Sequence, residues 1–515
     1  MRHYGNHKNH KNKKQLCIRL INCNQRCFEL KKQEKMAKVL FIQDLLFEFL
    51  GPMYLASYLQ KRGHTAEVII LNEEKESNLI KKIKEVNPDL IAFSIMSTGN
   101  SWAFITAKRI KEKFNIPIIF GGAHPTFFPE MINYPYVDMI CVGEGEEAIA
   151  DLVEKISKKE PLTDISNISI KKDGQIQKST VRSLVNNLDD LPFPSRELYY
   201  SRYKFLKNLP TKRFLASRGC PYNCTFCFNH KLKEMYKGKG SYLRWRSPDN
   251  IIKEIKEVKE KYHLKTVRFV DDTFTLNKPW LYELLDKYKQ NINLPFTCLC
   301  RANEINKELV IRLKRAGCLS VTFGIESGNE EIREKILHKN LKNEHILNAA
   351  RLFRKYKIKF GTYNMIALPG ELLSNAFETL ELNAKIRTNN PMCSIFQPFP
   401  KTELAQYAIE QGYLTKNFDF ESVGSLFGTT SLKMENRKEF VNLHKLFMMG
   451  VWFPWTIPLI RQLIKLPNNL VFNLIYKLSY GFKSFRSFNV NIFTGLKLGY
   501  KLKSRFKEQI ISSQE

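Results

Sequence analysis

Residues 218–230, Arg-Gly-Cys-Pro-Tyr-Asn-Cys-Thr-Phe-Cys-Phe-Asn-His, set Cys220, Cys224 and Cys227 in C-x3-C-x2-C spacing. Three thiolates on one short loop can each bind one iron of a cubane iron–sulfur cluster. The fourth iron then keeps an open coordination position, the feature that separates a catalytic metal centre from a closed structural one. A zinc knuckle with His230 as fourth ligand is the competing reading of the same residues, and chance spacing is the third. The other cysteines read as packing groups. Cys298 and Cys300 stand two apart in a strand-like run and so share one face, while Cys318 and Cys393 behave as small apolar side chains. Cys23 and Cys27 repeat the x3 spacing without a third cysteine two residues on, and with Cys17 they lie in an aperiodic stretch.

The triplet directly follows an apolar run, 213–219, that opens a long alternation. Further strands are expected at 266–270, 296–300, 319–325, 359–366 and 392–396, with helices between them. Six such units make a partial (β/α)6 barrel, smaller than the ~250-residue eightfold barrel, with active groups at the carboxyl ends of its strands. Upstream, strands are expected at 38–43, 66–71, 89–95 and 116–122, with a strand, Gly turn and helix over 137–156. Helices intervene at 51–63, with Pro near the start and Gly at the end, and at about 75–86 and 101–114. Continuous apolar strands alternating with helices give a parallel sheet covered on both faces. The fold class is therefore α/β: a flavodoxin-like, doubly wound N-terminal domain, then the partial barrel, then a helical C-terminal region. The divisions fall at a basic extension 1–35, the first domain 36–160, a linker 161–210 with a hairpin turn at 171–175, the barrel 211–400, and a basic, aromatic-rich region 401–515.

With the cysteine triplet and Phe226 before its third cysteine, the chain resembles the radical S-adenosylmethionine enzymes along 213–400. The resemblance implies that the open iron chelates the amino and carboxylate groups of S-adenosylmethionine. It also implies that an electron, from a donor such as flavodoxin or ferredoxin, cleaves the sulfonium to a 5′-deoxyadenosyl radical. Contacts to S-adenosylmethionine are implied at Phe226, at Asp272 facing the methionine ammonium with Asp271 beside it, at Arg301, and at Glu326 and Ser327 facing the ribose or carboxylate. Residues 364–371 resemble the family's fifth-strand turn without its extra glycine. Taken singly, each acid reads equally well as a helix cap or a solvated side chain. Their recurrence at successive strand ends is what favours a site.

The turn at 143–148 fits G-x-G-x-x-A, a dinucleotide signature. It follows a late strand, however, and sets Glu144, Glu146 and Glu147 where a pyrophosphate would sit, so like charges would repel. Through 121–126 and 138–146, residues 36–157 instead resemble the cobalamin-binding domain that precedes the barrel in one subclass of the same family. That resemblance implies cobalamin contacts at Ser94, Ser97, Thr98, Gly121, Gly122, His124, Thr126, Gly143, Glu144 and Gly145, with Gly99 adding room. The D-x-H-x-x-G motif is missing, because Leu45 and Leu46 follow Asp44. Cobalamin is therefore expected without a protein imidazole on cobalt, and His124 is expected as a loop or tail contact. A domain that keeps the fold and binds nothing is the alternative.

A composition of 43% hydrophobic and 26% charged residues excludes a disordered, collagen-like or polytopic membrane chain. The formal net charge of +31 calls for an anionic partner, nucleic acid or an anionic membrane surface. No apolar run is long enough to span a bilayer and no signal core opens the chain, so a cytoplasmic protein is expected. Residues 440–507 hold eleven Lys/Arg, fourteen aromatic residues and no acid, which suits a segment lying at the inner face of the membrane. A cap packed on the barrel is the second reading. An RNA-binding tail is the third, disfavoured because neither an aromatic platform nor a compact basic module is visible.

The expected reaction, implied by the resemblance, is cobalamin-dependent methylation of an unactivated carbon on a small hydrophobic molecule such as an isoprenoid, fatty chain or porphyrin. Radical oxidation or cyclisation, as in the anaerobic cyclase of chlorophyll biosynthesis, is the alternative. RNA modification would call for a further cysteine triplet, and a cofactor sensor is the non-enzymatic reading. The strand pattern begins just after Met36, and residues 1–35 carry +8 of the charge without an apolar face. A chain starting at Met36 is expected to bind cobalamin and cleave S-adenosylmethionine as the full chain does; loss of either activity would make the extension part of the fold.

Overall fold

The computed structural model describes residues 36–71, 76–97, 100–419 and 430–488. The expectations placed on residues 1–35, on Thr98 and Gly99, and on 489–507 lie outside these. In the first domain the strands are β1 (Lys38–Gln43), β2 (Thr65–Ile70), β3 (Leu90–Ser94), β4 (Ile118–Gly121) and β5 (Met139–Cys141). They alternate with helices α1 (Leu50–Lys61), α2 (Glu76–Val86), α3 (Ser101–Lys111) and α4 (Glu146–Lys158). All five expected strands form, in the order β2-β1-β3-β4-β5, and pair in parallel. Alternation along β1 shows why both faces are covered. Val39 and Phe41 join one core with Met53, Ala56 and Leu152, while Leu40 and Ile42 join another with Ile83, Ala103 and Ala107.

The segment expected as a linker does more than connect. It adds β6 (Ile168–Lys172) and β7 (Gln175–Gln177) as an antiparallel extension, so the sheet has seven strands rather than five. Asp173 and Gly174, with φ of 50° and 77°, make the expected two-residue turn, whose twist matches a hairpin. Three tyrosines then clamp the segment to the first domain. Tyr199 donates to Gln43 at 2.6 Å, Tyr200 donates to Glu48 at 2.7 Å, and the Tyr203 hydroxyl accepts from the Ile70 N–H at 2.8 Å. The rings are buried and their polar tips paired, so a stretch without periodicity is nonetheless core.

The barrel strands are β8 (Thr211–Phe214), β9 (Thr266–Phe269), β10 (Phe296–Cys300), β11 (Cys318–Glu326), β12 (Lys359–Ile366) and β13 (Asn390–Ile395). They form one parallel six-stranded sheet in chain order. Helix α5 (Asn229–Met235) follows the cysteine loop. Outside the sheet lie α6 (Pro248–Lys261), α7 (Lys278–Asn291), α8 (Lys307–Ala316), α9 (Asn343–Lys355) and α10 (Leu373–Ile386). Ser247, Asn277 and Asn306 cap α6, α7 and α8 by accepting from Asn250, Trp280 and Leu309 N–H groups. Cys298, Cys300 and Cys318 lie in the core between sheet and helices, as expected of packing groups.

Helix α11 (Arg437–Trp452) buries Phe440, Leu443, Leu446 and Phe447 against Ile366, Phe377, Leu380 and Ile395, so this stretch is a cap on the last barrel units. Beyond it, α12 (Leu470–Phe488) leaves Leu470, Leu474, Leu478 and Phe482 exposed at a spacing of four, on one face. Among the described residues no helix is long and apolar enough to cross a membrane. Truncating fully buried Phe447 to Ala should cost about 3–5 kcal/mol in chemical denaturation, whereas exposed Leu474→Ala should stay within about 0.5 kcal/mol.

Candidate functional site

The cysteine loop is held from beneath by Asp271. Completely buried at the end of β9, its Oδ1 accepts from the Ala216 N–H at 3.0 Å and the Ser217 hydroxyl at 2.6 Å. Burial raises its carboxyl to about 6, against the pull of Ser217 and of backbone N–H groups. The three thiols lie close enough to act on one another, and burial raises Cys220 and pushes Cys227 up to about 11. Burial thus disfavours the thiolate at Cys220 and Cys227, and iron would stabilise it. Arg301 places Nη1 3.8 Å from the Cys224 sulfur and stacks on Tyr222 at 3.7 Å, setting a fixed cation beside the triplet. Among the described residues no three His, Cys, Asp or Glu side chains converge as they would on a single ion. His230 lies 3.8 Å from Glu403. The donor set fits a cluster.

Asp272 opens onto a cavity of about 340 Å³ between the two domains. Asn229 donates to its carboxylate at 3.3 Å and reaches the Cys227 sulfur at 3.5 Å, while accepting from the Tyr242 hydroxyl at 2.6 Å. The desolvating surroundings raise the Asp272 carboxyl, more than Asn229 lowers it. Leu215, Ser217, Val270 and Tyr236 line the barrel side. The first domain supplies Gly122, Thr126, Gly143 and Glu144, from the turns after β4 and β5. At Gly122, φ is 96° and a Cβ would come within 2.8 Å of the Ile95 carbonyl; at Gly143, φ is 85° and a Cβ would strike the Tyr236 hydroxyl. These bare strand ends fit a broad ligand of the cobalamin kind on the first domain, with Tyr236 as the side chain it would meet. A second cavity of about 520 Å³ behind the loop is lined by Tyr222, Asn223 and Arg301 but by no residue of the first domain.

Two of the three acids that argued against a pyrophosphate have partners that join the domains. Arg218 reaches Glu144 at 3.1 Å and Glu146 at 2.5 Å, and Arg244 reaches Glu144 at 2.5 Å. Glu147 instead pairs with Arg182 at 2.9 Å. Burial alone would raise Glu144, but Arg244 and Arg218 outweigh it and hold the carboxyl below its ordinary range. Arg218, Asn229, Tyr236, Tyr242 and Arg244 were not anticipated from the sequence. Their only signal there was nearness to the cysteine loop.

Several expected contacts sit elsewhere. His124 is completely buried, with ring neighbours Phe104 and Phe128 at 6.0 and 5.1 Å and Ser97 Oγ at 3.3 Å, and burial lowers it to about 4. It is a neutral interior residue rather than a contact on the cavity wall. Ser327 is fully buried, its hydroxyl accepting from the Asn329 N–H at 3.3 Å, so it has no surface for a ribose. Glu326 is turned by a register shift and a φ of 70° onto Lys339, 2.8 Å away. Phe226 packs beside Leu337, Leu368 and Phe396. Arg301 serves the triplet and the second cavity rather than the first. Ser94, Gly121 and Gly145 sit at strand ends beside the cavity residues, Gly145 close to Leu55.

Two family models match the chain: a B12 binding domain over residues 47–153 and the radical SAM superfamily over 214–382. An uncharacterized methyltransferase of Pyrococcus horikoshii, PH0819, is 31% identical over 374 residues, 71% of this chain and 79% of that one. An anaerobic magnesium-protoporphyrin IX monomethyl ester cyclase of Rubrivivax gelatinosus is 23% identical, over 72% of this chain and 67% of that one. Among solved structures, the cobalamin-dependent S-adenosylmethionine radical enzyme OxsB, with aqua-cobalamin and S-adenosylmethionine bound, aligns with a TM-score of 0.65 at 19% identity. That alignment covers 93% of this chain and 76% of the other, and it shows a shared fold.

Two outcomes are expected of variants. Replacing Cys220, Cys224 or Cys227 by Ala should abolish iron–sulfur absorbance and S-adenosylmethionine cleavage, while Cys298→Ala leaves the cluster intact. Glu144→Gln should destabilise the protein by about 3 kcal/mol at pH 7, because buried Arg244 loses its counter-charge and Arg218 keeps only Glu146. Glu144 has a depressed folded value, so its contribution is complete above the unfolded 4.5 and is lost as pH falls through the lower folded value. The gap between parent and variant denaturation curves at pH 7 should therefore close at acid pH.

Proposed function

The chain belongs to the radical S-adenosylmethionine enzymes that carry a cobalamin-binding domain, and on that premise we propose that it methylates an unactivated carbon of a hydrophobic small molecule. Its cofactors are a 4Fe-4S cluster, S-adenosylmethionine and cobalamin. The observation that carries the reading is the interdomain cavity, where bare glycine turns of one domain face Asp272 and the cysteine loop of the other. When bound, the cluster and S-adenosylmethionine supply a 5′-deoxyadenosyl radical, and cobalamin supplies the methyl group.

In this reading Cys220, Cys224 and Cys227 hold the cluster, and Arg301 offsets the charge of Cys224. Asp272, held by Asn229, receives the methionine ammonium. Gly122, Thr126 and Gly143 form the floor under cobalamin, and Leu215, Leu232 and Val270 keep water from the space between. The Phe127 and Phe228 rings, stacked at 3.9 Å, and Lys401, 2.8 Å from Glu130, close the same seam.

A hydrophobic substrate fits the exposed ridge of the C-terminal region. Phe453, Trp455, Leu470, Leu474 and Leu478 are all more than half exposed, in a stretch whose charges are all positive. Each Lys or Arg near an anionic bilayer is worth about 1 kcal/mol, so a few contacts hold the ridge reversibly at a membrane.

Anaerobic reconstitution followed by mass spectrometry tests the chemistry. Formation of both 5′-deoxyadenosine and S-adenosylhomocysteine is expected. The first product alone would mean oxidation or cyclisation, the reading favoured by the likeness to the cyclase, and neither product would overturn the proposal. Co-sedimentation should favour anionic over neutral vesicles, weaken with salt, and fall several-fold on changing Trp455 and Leu474 to Ser. A full-length chain that stays in the supernatant would remove the membrane contact.

A further inference from the structure

Strands alternate their side chains between faces, so the residues lining the cavity identify the inward face of the barrel. Leu215 and Ser217, just beyond β8, and Val270 and Asp272, just beyond β9, line it. Two positions earlier on that face stand Arg213 and Arg268. They are directly paired across β8 and β9. Their backbones are therefore about 4.8 Å apart, with the side chains in parallel. Phe214 and Phe269, between these positions, point outward into the helix-packed core, which confirms the assignment of faces.

Neither guanidinium has an ion-pair or side-chain hydrogen-bond partner among the described residues, and the buried Nε of Arg213 makes no hydrogen bond. Phe47 stacks on Arg213 at 4.6 Å and offers no counter-charge beyond its ring face. Glu48 acts on Arg213 from nearby, but its carboxylate is already engaged by the Tyr200 hydroxyl at 2.7 Å and by Lys212 at 3.5 Å. Burial and Arg268 lower Arg213 to about 10, and Tyr363 of β12 acts on it in the opposite sense. The register continues this level through Thr297 and Ser320, which add hydroxyls and no acid. Two like charges held side by side, partly buried and without a counter-ion, are a site arranged for an anion.

Resting on the methylase reading, we propose that Arg213 and Arg268 bind an anionic group of the substrate, a carboxylate or a phosphate, inside the barrel. Asp272 stands four residues beyond Arg268, past the end of β9, so at most roughly 13 Å separates them along the chain. The anion would thus anchor one end of an extended molecule whose other end reaches the cavity under the cysteine loop. The substrate class is an amphiphile: an apolar body that carries an acidic head.

The test is calorimetric titration of the reconstituted holoenzyme with decyl phosphate, decanoate and decanol. One or both anions should bind saturably, and decanol at least tenfold more weakly. The tighter anion identifies the head group. Arg268→Gln and Arg213→Gln should each weaken the anion at least tenfold, and Arg268→Lys less. Removing one of two repelling charges should also leave the ligand-free thermal midpoint of Arg268→Gln at or above that of the parent. Inorganic phosphate should raise the midpoint of the parent and not that of the variant. Equal binding of decanol, undiminished anion binding by both Gln variants, or a midpoint several degrees lower in Arg268→Gln would overturn the proposal. Formation of S-adenosylhomocysteine together with 5′-deoxyadenosine by the parent enzyme tests the methylase reading separately.

Discussion

Everything at the site depends on the ion cluster around Arg218. This residue stands two positions before Cys220, and the turn after β5 in the other domain grips it through Glu144 and Glu146. Arg244 completes the cluster from the strand that pairs beside it. Taking these charges from water is costly, and a buried pair of this kind is weak support for net stability. Its value is geometric. Charge-assisted, fixed-fork contacts leave the cysteine loop and the glycine turn one arrangement relative to each other. A chemistry divided between two cofactors needs that: the groups that hold each must face one another across a fixed, narrow space.

The rest of the seam reinforces this constraint with different forces. The stacked rings of Phe127 and Phe228, and Phe399 beyond them, exclude water without adding charge. Tyr236 contributes a hydroxyl that accepts from the Glu144 N–H at 2.8 Å, so the polar part of the seam stays paired where it meets the cavity. Asp271 then transmits the position of β9 to the loop, through hydrogen bonds to Ala216 and Ser217. Charge fixes the register, aromatic contact keeps it dry, and one buried acid carries it to the cysteines.

Legibility in the sequence followed the range of the interactions. Strands and helices came from period and turn residues, which are local, and nearly all of them formed where expected. The cysteine triplet is local too. Glu144 and Glu146 were read as hostile to a pyrophosphate, but their partner Arg218 lies 72 residues from Glu146 and Arg244 lies 100 from Glu144, so no spacing rule joins them. His124 follows a Gly-Gly turn and so resembled a loop contact. Only the packing of Phe104 and Phe128 shows it to be interior. Glu326 and Ser327 stand at the expected strand end, where the register shift between Gly324 and Glu326 turns the chain and Glu326 meets Lys339. The tyrosines at 199, 200 and 203 had no period to reveal them.

The surplus of positive charge invites a surface explanation, since most charged side chains are solvated. Several cations are buried with partners; Arg213 and Arg268 are partly buried without an ion pair among the described residues, and their sequence context hints at why. Both β8 and β9 carry the dipeptide Arg-Phe, and the sheet sets the two in register, so each Phe fills the core while each Arg turns inward. Had the register slipped by one residue, the arginines would have entered the apolar layer, where an unpaired charge is prohibitively costly. The hydrophobic layer therefore enforces the cation pair on the other face. A barrel interior could have been closed by aliphatic side chains at this level, as Leu215 and Val270 do one layer above. Keeping two guanidiniums there sacrifices packing and adds repulsion, a cost that has a physical reason only if something of opposite charge spends time between them.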